Sequence, residues 1–416
     1  MEVHPVLLCA AVVGVTVVIV GFTAPSSIFR LAAVPIIIIC SLQCISTSIY
    51  YMVRVPWATS VAGYTITFLL HYFDIALLRG WSFETNGPTI DPATGQNIPK
   101  AVNNKRRKKG SILERLKFGL SATFSFRHIG TPYQVKNVPA FSDNNTTYIP
   151  TRSRFLLRSG FTFVAIYIVL DLLTFQVDTQ LNRLFFTHQN IGFFRRTYEI
   201  TTEEVMMRTF ATIASALMMT CVQKGCYYLL AFLSVLFSIS EPREWPPLYG
   251  SFSQAFSMRR VWAVFWHQTN ASKFASISDF TLHRLLGLSR GTQLARYARL
   301  ITIFTISAFM HFLIDVAAGV PVHHSGSLQF FLTQALGIVI EDLVTHTYRR
   351  SFIGDRSRPY YLVEKIVGFI WVGVFMVWSS PMYVYPMMYR INTGQEDSVI
   401  PFSIMKLLAQ ADWHRG

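Results

Sequence analysis

Residues 300–320 read LITIFTISAFMHFLIDVAAGV, an apolar run in which Asp315 is the one charged residue. A helix needs about 20 mostly apolar residues to cross the hydrocarbon core of a bilayer, and this run is long enough. Seven further runs of this kind occur along the chain, at residues 6–23, 31–53, 56–73, 159 onward, 209–240, 325–340 and 366–385. We therefore predict an all-α, polytopic membrane protein with about eight transmembrane helices.

The composition of the whole chain agrees with this prediction. Of its 416 residues, 51% are hydrophobic and 14% are charged, and the mean hydropathy is +0.36. Soluble domains average about 25% charged residues, so this chain has too few charges to cover a water-facing surface of its size. Its five cysteines lie in apolar stretches without a Cys-x-x-Cys pair, which argues against a disulfide scaffold and against a zinc site.

The positive charges gather in loops on one predicted side of the membrane. The chain has 37 Lys+Arg against 22 Asp+Glu, a net charge of +15. The loop 79–158 with its basic run 105–109, the loop 241–299 and the loop after the seventh run share one side if 209–240 crosses the membrane once. Because basic loops mark the cytosolic face, we place these loops in the cytosol and the N-terminus in the lumen. We expect them to contact anionic lipid, and we expect no nucleic-acid partner.

One histidine stands well inside an apolar run. His311 lies at a depth where a polar residue costs about 2 kcal/mol or more unless something compensates it. Ser307 and Asp315 lie four residues before and after it, so the three side chains share one helical face. A histidine beside a carboxylate has the elements of an oriented general base. The alternative is a histidine that makes one hydrogen bond between helices, and the spacing alone leaves both interpretations open.

A second group of candidate site residues lies on the predicted cytosolic side. Residues 259–270 read RRVWAVFWHQTN, which is aromatic, basic and rich in amides. His267 precedes His311 by enough residues for a loop and a return into the membrane. Composition alone favours another interpretation, an interfacial aromatic belt with arginines that reach the headgroups.

These segments resemble the membrane-bound O-acyltransferase superfamily, and more narrowly its wax-synthase-like branch. The pattern Arg-x-x-Trp-x-x-Phe-Trp-His-Gln over residues 259–268, followed by the intramembrane Ser-Ala-Phe-Met-His that ends at His311, carries the resemblance. A third element, RHIGTPYQVKNVP at residues 127–139, is similar to a segment of fungal members that acetylate terpenoid and meroterpenoid natural products. Together the three elements span about half of the chain.

The resemblance implies transfer of an acyl group from acyl-CoA to a hydroxyl. The invariant intramembrane histidine of the family maps onto His311, which would take the hydroxyl proton, and Asp315 would orient it. The second signature position, asparagine in many members, falls at His267. The resemblance implies that the thioester carbonyl is held by His267, Gln268 and Asn270. It also implies that acyl-CoA contacts Trp266 and that its phosphates bind Arg259, Arg260 and Lys273.

The expected donor is acetyl-CoA, used as a co-substrate and without a metal. The expected acceptor is an apolar alcohol that arrives through the bilayer. A wax or sterol ester synthase that uses long-chain acyl-CoA is the alternative enzyme, a membrane transporter is the alternative of another class, and a homo-oligomer is left open. We predict a multi-pass protein of the endoplasmic reticulum in three segments: a three-helix membrane segment (1–78), a basic cytosolic loop (79–158) and an acyltransferase-like catalytic core (159–416).

Overall fold

The computed structural model describes residues 3–98, 110–175, 179–351, 358–391 and 398–413. Within these ranges the regular structure is helical apart from two isolated β-bridges, Ser82–Gly87 and Ile90–Asn97. The predicted all-α class is confirmed. The basic run 105–109 lies outside the described residues.

Most of the described α-helices are long and apolar. In chain order they are α1 (Pro5–Phe22), α2 (Phe29–Met52), α3 (Val55–Tyr72), α4 (Ile112–Phe124), α5 (Arg152–Thr174), α6 (Thr179–Phe185), α7 (Thr202–Leu236), α8 (Met258–Arg260), α9 (Ala271–Asp279), α10 (Gln293–Ala317), α11 (Ser327–Ser351), α12 (Arg358–Ser379), α13 (Pro381–Ile391) and α14 (Ile404–Trp413). Three π-helical turns extend α3, α8 and α9: Phe73–Leu78, Val261–Phe265 and Phe280–Leu285.

Eight of the described helices are long and apolar enough to cross a membrane. They correspond to the eight runs in the sequence, so the predicted polytopic architecture is confirmed. The run 209–240 was ambiguous because it is long for one helix and short for two. In the structure α7 is a single helix of 35 residues, about 50 Å long at 1.5 Å per residue. One uninterrupted helix is what a single crossing requires.

The chain divides into two compact units. The first comprises Met1–Val135, Thr269–Val322 and Ser327–Val339, and the second comprises Lys136–Gln268, His323–Gly326 and Ile340–Gly416. The three-segment division drawn from charge stays a prediction. Residues 79–158, predicted as a loop, contain helix α4, whose first turn is closed by a capping box between Ser111 and Glu114.

In the first unit, α1 to α4 pack around a shared apolar core that includes Val12, Ile37 and Tyr72. Helices α1 and α4 approach so closely that two glycines are required. A Cβ on Gly119 would lie 2.3 Å from the carbonyl oxygen of Val17. Small residues let membrane helices come this close. Helix α10 packs on α3 in a second apolar cluster, which includes Ile66 and Met310.

In the second unit, α5 packs along α7, and Asp171 of α5 holds the C-terminal helix. Its carboxylate accepts hydrogen bonds from the backbone N–H groups of Ile404 (2.7 Å) and Met405 (3.1 Å) and from the hydroxyl of Ser403 (2.6 Å). These are the N–H groups that a helix start leaves without a partner. The carboxylate of Asp171 is therefore a helix cap.

Candidate active site

His311 occupies the interior of α10, where its ring has a fixed orientation. Its Nδ1 lies 2.8 Å from the carbonyl oxygen of Ser307, one turn earlier in the same helix. A carbonyl can only accept, so Nδ1 carries the proton and Nε2 keeps its lone pair. The ring also packs on Phe331 of α11, with the ring centroids 4.3 Å apart. In its neutral form, the ring therefore has the tautomer that a base at Nε2 needs.

Asp315 contributes to this site through the neighbouring helix. Its Oδ2 accepts a hydrogen bond of 2.6 Å from the hydroxyl of Ser327, the first residue of α11. Both side chains are buried. The carboxylate thereby fixes α11, which carries Phe331, against α10. That Asp315 orients the histidine ring itself stays a prediction.

The segment that carries His267 belongs to the second unit, and carboxylates of α11 bind its first residues. Glu341 of α11 accepts from the backbone N–H of Met258 (2.6 Å), and Asp342 binds Arg259 through two hydrogen bonds of 3.3 and 2.6 Å. The guanidinium of Arg260 donates to the backbone carbonyl and the side-chain oxygen of Gln254. Both arginines thus hold their own segment in place, and their contact with CoA phosphates stays a prediction.

After the π-helical turn Val261–Phe265 the chain becomes extended at Trp266. The ring of His267 lies among aromatic neighbours, 5.4 Å from Trp266 and 5.8 Å from Tyr249 between centroids. The amide of Gln268 donates to the carbonyls of Trp266 (2.6 Å) and Trp262 (3.2 Å). The amide therefore stabilises this bend, while the predicted roles of Trp266, His267 and Gln268 toward the thioester stay predictions.

Asn270 and Lys273 belong to the first unit, as His311 does. Asn270 precedes the first residue of α9, and its Nδ2 donates to Sδ of Met310 (3.5 Å), the neighbour of His311 in the chain. Lys273 is fully buried; its Nζ donates to the carbonyl of Thr269 (2.6 Å) and lies 4.2 Å from the centre of the Phe126 ring. A phosphate in solvent reaches Lys273 only if α9 moves, and its predicted role toward CoA stays a prediction.

The sequence did not reveal a buried polar cluster in the first unit. Asp74 pairs with Arg79 at 2.8 Å and accepts a 2.6 Å hydrogen bond from Ser272 of α9. His128 lies 3.3 Å from the same hydroxyl through Nε2, and its ring stacks on Trp81 at 4.6 Å. Burial lowers the pKa of His128 to about 4, against the opposing effect of the Asp74 carboxylate. The imidazole is therefore neutral at neutral pH.

The sequence held two separate signals for this cluster: a lone acid, Asp74, at the end of the third run, and His128 within the element 127–139. In the part of the chain that the structure describes, no three His, Cys, Asp or Glu side chains group closely enough to hold a metal ion.

Lys273 gives the stability of the fold a dependence on pH. Burial lowers the pKa of its ammonium group from 10.5 to about 7, with the Asp74 carboxylate acting in the opposite direction. Between these values the unfolded chain binds a proton that the folded chain does not, so the free energy of unfolding rises as pH rises from about 7 toward 10. The slope from one such group is at most about 1.4 kcal/mol per pH unit. Thermal unfolding of detergent-solubilised protein between pH 7 and 9 should show this rise.

The matched control for this measurement is an exposed lysine. Lys273→Met should flatten the dependence on pH, whereas Lys117→Met, a change at an exposed position of α4, should leave it intact. Equal slopes in the wild type and Lys273→Met would contradict the assignment.

Comparison with known proteins places these residues in a family. The model of the membrane bound O-acyl transferase family matches residues 245–333, which include His267 and His311. The acetyltransferase aurG of Calcarisporium arbuscula is 30% identical over 341 residues, covering 81% of this chain and 81% of the relative. The acetyltransferase ataH of Aspergillus terreus is 33% identical over 287 residues, covering 67% of this chain and 91% of the relative.

Another relative matches nearly end to end. The acetyltransferase fsoF of Humicola fuscoatra is 27% identical over 415 residues, covering 93% of this chain and 96% of the relative. No solved structure matches the chain. The identity to aurG and ataH over most of their length, together with the family match across both histidine segments, shows that this chain is an acyltransferase and belongs to the membrane-bound O-acyltransferase family.

Proposed function

We propose that this protein transfers an acetyl group from acetyl-CoA to a hydroxyl of a terpenoid or meroterpenoid intermediate in secondary metabolism. The observation that carries the proposal is His311, an imidazole inside an apolar helix whose Nδ1–H donates to the Ser307 carbonyl. The names of the relatives support an acetyl donor. The resemblance of residues 127–139 to terpenoid-acetylating proteins supports the acceptor class.

The reaction follows from the tautomer of His311. Nε2 takes the hydroxyl proton as the oxygen of the alcohol forms a bond to the thioester carbonyl carbon. The tetrahedral intermediate then collapses, the carbon–sulfur bond breaks, and the proton passes from Nε2 to the departing CoA sulfur. No acyl-enzyme is required. An apolar alcohol dissolves in the bilayer, and α10 crosses that bilayer, so the acceptor has a route to the base.

The site has features that favour a short donor. Phe331 packs directly on the His311 ring, its neighbour Phe330 is buried, and Phe304 is buried two turns before His311 in α10. A long acyl chain needs a continuous apolar tunnel, since each buried methylene contributes about 0.8 kcal/mol. We propose that the Phe331 ring occupies the space in which such a tunnel would lie. The endoplasmic reticulum, whose cytosolic face meets acyl-CoA, is the proposed location.

Microsomes that contain the protein provide the test. With a terpenoid alcohol as acceptor, we expect acetyl-CoA to be used at least tenfold faster than palmitoyl-CoA, and mass spectrometry should find the acceptor with one added acetyl group. Microsomes without the protein are the control. Equal or reversed preference would instead indicate a long-chain wax or sterol ester synthase.

A further inference from the structure

The segment 127–139 contains two residues other than glycine with a positive φ, a backbone conformation that L-residues rarely adopt. Five non-glycine residues in the described ranges have positive φ, and His128 (φ 51°) and Asn137 (φ 61°) are two of them. Few residues other than glycine occupy this region, although asparagine and histidine do so more often than most. Such outliers persist only where surrounding contacts fix them, and they concentrate at functional sites. The contacts of these two residues therefore need an explanation.

His128 makes its contact within the first unit. The hydroxyl of Ser272 donates to Asp74 at 2.6 Å, so its oxygen is left to accept from the Nε2–H of His128 at 3.3 Å. All three side chains are buried. Stacking on Trp81 fixes the plane of the imidazole. Ser272, the second residue of α9, is therefore held by Asp74 and by His128.

Asn137 makes its contact within the second unit. Its Nδ2 donates to the carbonyl oxygen of Ala263 at 2.9 Å. Ala263 lies in the π-helical turn Val261–Phe265, directly before the bend that presents His267. A side chain distant in sequence thus fixes the turn from which the bend starts.

The two contacts fall on either side of His267 in the sequence. We propose that His128 and Asn137 are positioning residues of the transferase, which hold the two ends of the stretch 263–272 through Ser272 and through Ala263. The proposal rests on the acyl-transfer function above. Neither side chain contacts the reacting atoms, so their loss should lower kcat with little change in KM. A displacement of about 1 Å in such a site costs up to about 100-fold in rate.

Four variants with two matched controls test the proposal. Asn137→Asp keeps size and backbone tolerance but removes the N–H donor, and Asn86→Asp makes the same change at another asparagine with positive φ (54°). Ser272→Ala removes the hydroxyl that hydrogen-bonds to His128 and Asp74. Ser276→Ala removes a buried hydroxyl one turn later that bonds only the carbonyl of Lys273 in its own helix. His128→Asn and Ser272→Thr complete the set, since the threonine restores the hydroxyl.

The assay measures kcat and KM with the acyl-CoA that the wild type uses fastest, normalised to folded protein by size-exclusion chromatography. We expect a ten- to hundredfold lower kcat in Asn137→Asp, His128→Asn and Ser272→Ala, with KM within about twofold. Asn86→Asp, Ser276→Ala and Ser272→Thr should stay within about twofold of wild type in kcat. Wild-type kcat per folded molecule in Asn137→Asp and Ser272→Ala would overturn the proposal, even if less protein folds. The wild-type rate with acetyl-CoA reports on the proposed function separately.

Double variants add a second check. His128→Asn and Ser272→Ala remove one shared contact, so the combination should be no worse than the more severe single change. Ser272→Ala and Asn137→Asp remove separate contacts, so their effects on kcat should multiply. Multiplication in the first pair would show that His128 does not act through Ser272.

Discussion

His311→Ala should lower acyl transfer by two to four orders of magnitude while the protein still inserts into the membrane. The magnitude is that of a lost general base, about 10²–10⁴-fold. Insertion should survive because alanine is apolar and a good helix former, and because the Ser307 carbonyl keeps its place in the helix. The measurement is turnover in microsomes, normalised to the amount of inserted protein.

Asp315→Asn is the companion variant, and its effect should be smaller. The amide oxygen of asparagine can still accept the hydrogen bond from the Ser327 hydroxyl, so the contact between α10 and α11 survives the change. If His311→Ala retained more than half of the wild-type turnover, the histidine would be structural and the proposed reaction would be wrong. If Asp315→Asn were as damaging as His311→Ala, the carboxylate charge itself would take part in catalysis.

Phe331→Ala should change the choice of donor. The Phe331 ring lies against His311, and its removal opens space where a longer acyl chain could extend. We expect the ratio of acetyl-CoA to palmitoyl-CoA turnover to fall at least tenfold relative to wild type. Competition between the two donors in one reaction, with both products quantified by mass spectrometry, measures this ratio directly.

Phe330→Ala is the matched control, because it removes an equally large buried ring at the adjacent position. Both variants should lose stability by about 3–5 kcal/mol, as buried phenylalanines do, so a general loosening would affect them alike. A shift in the donor ratio that is equal in the two variants would show that Phe331 does not limit the acyl chain.

The membrane architecture could be predicted from the sequence because the bilayer imposes one strong rule. Each apolar run of sufficient length became a helix, and even the ambiguous run 209–240 resolved into α7. Helix ends were less predictable. The fourth run seemed to start at Ser159, yet α5 begins at Arg152, because long arginine side chains can extend to the headgroups from within the first turns.

The charged residues inside the runs could not be interpreted from sequence alone. Asp171 caps a helix that begins 233 residues later, and Glu341 caps the helix that begins at Met258, 83 residues earlier. Such pairs have no fixed spacing, so a lone acid in a span gives no indication of its partner. For Lys273 the sequence suggested the wrong environment. It lies in a polar stretch that is typical of a surface, but in the structure its side chain is completely buried.

The candidate site was partly predictable for a related reason. His311 stands out because an ionisable residue in an apolar run is rare, and residues 259–270 because of their unusual composition. The cluster of Asp74, His128 and Ser272 gave no such signal, since its members come from three separated segments. Only the fold brings them together.

The partner of His311 Nδ1 is a backbone carbonyl of its own helix, and this has a consequence for how such enzymes diversify. A side-chain partner can be lost by a single substitution, whereas the Ser307 carbonyl is present whatever residue occupies that position. The helix thus fixes the tautomer of the proposed base independently of the side chains around it. Residues that line the acceptor pocket are then free to vary as new alcohols are adopted, and the proton-transfer chemistry need not be rebuilt each time.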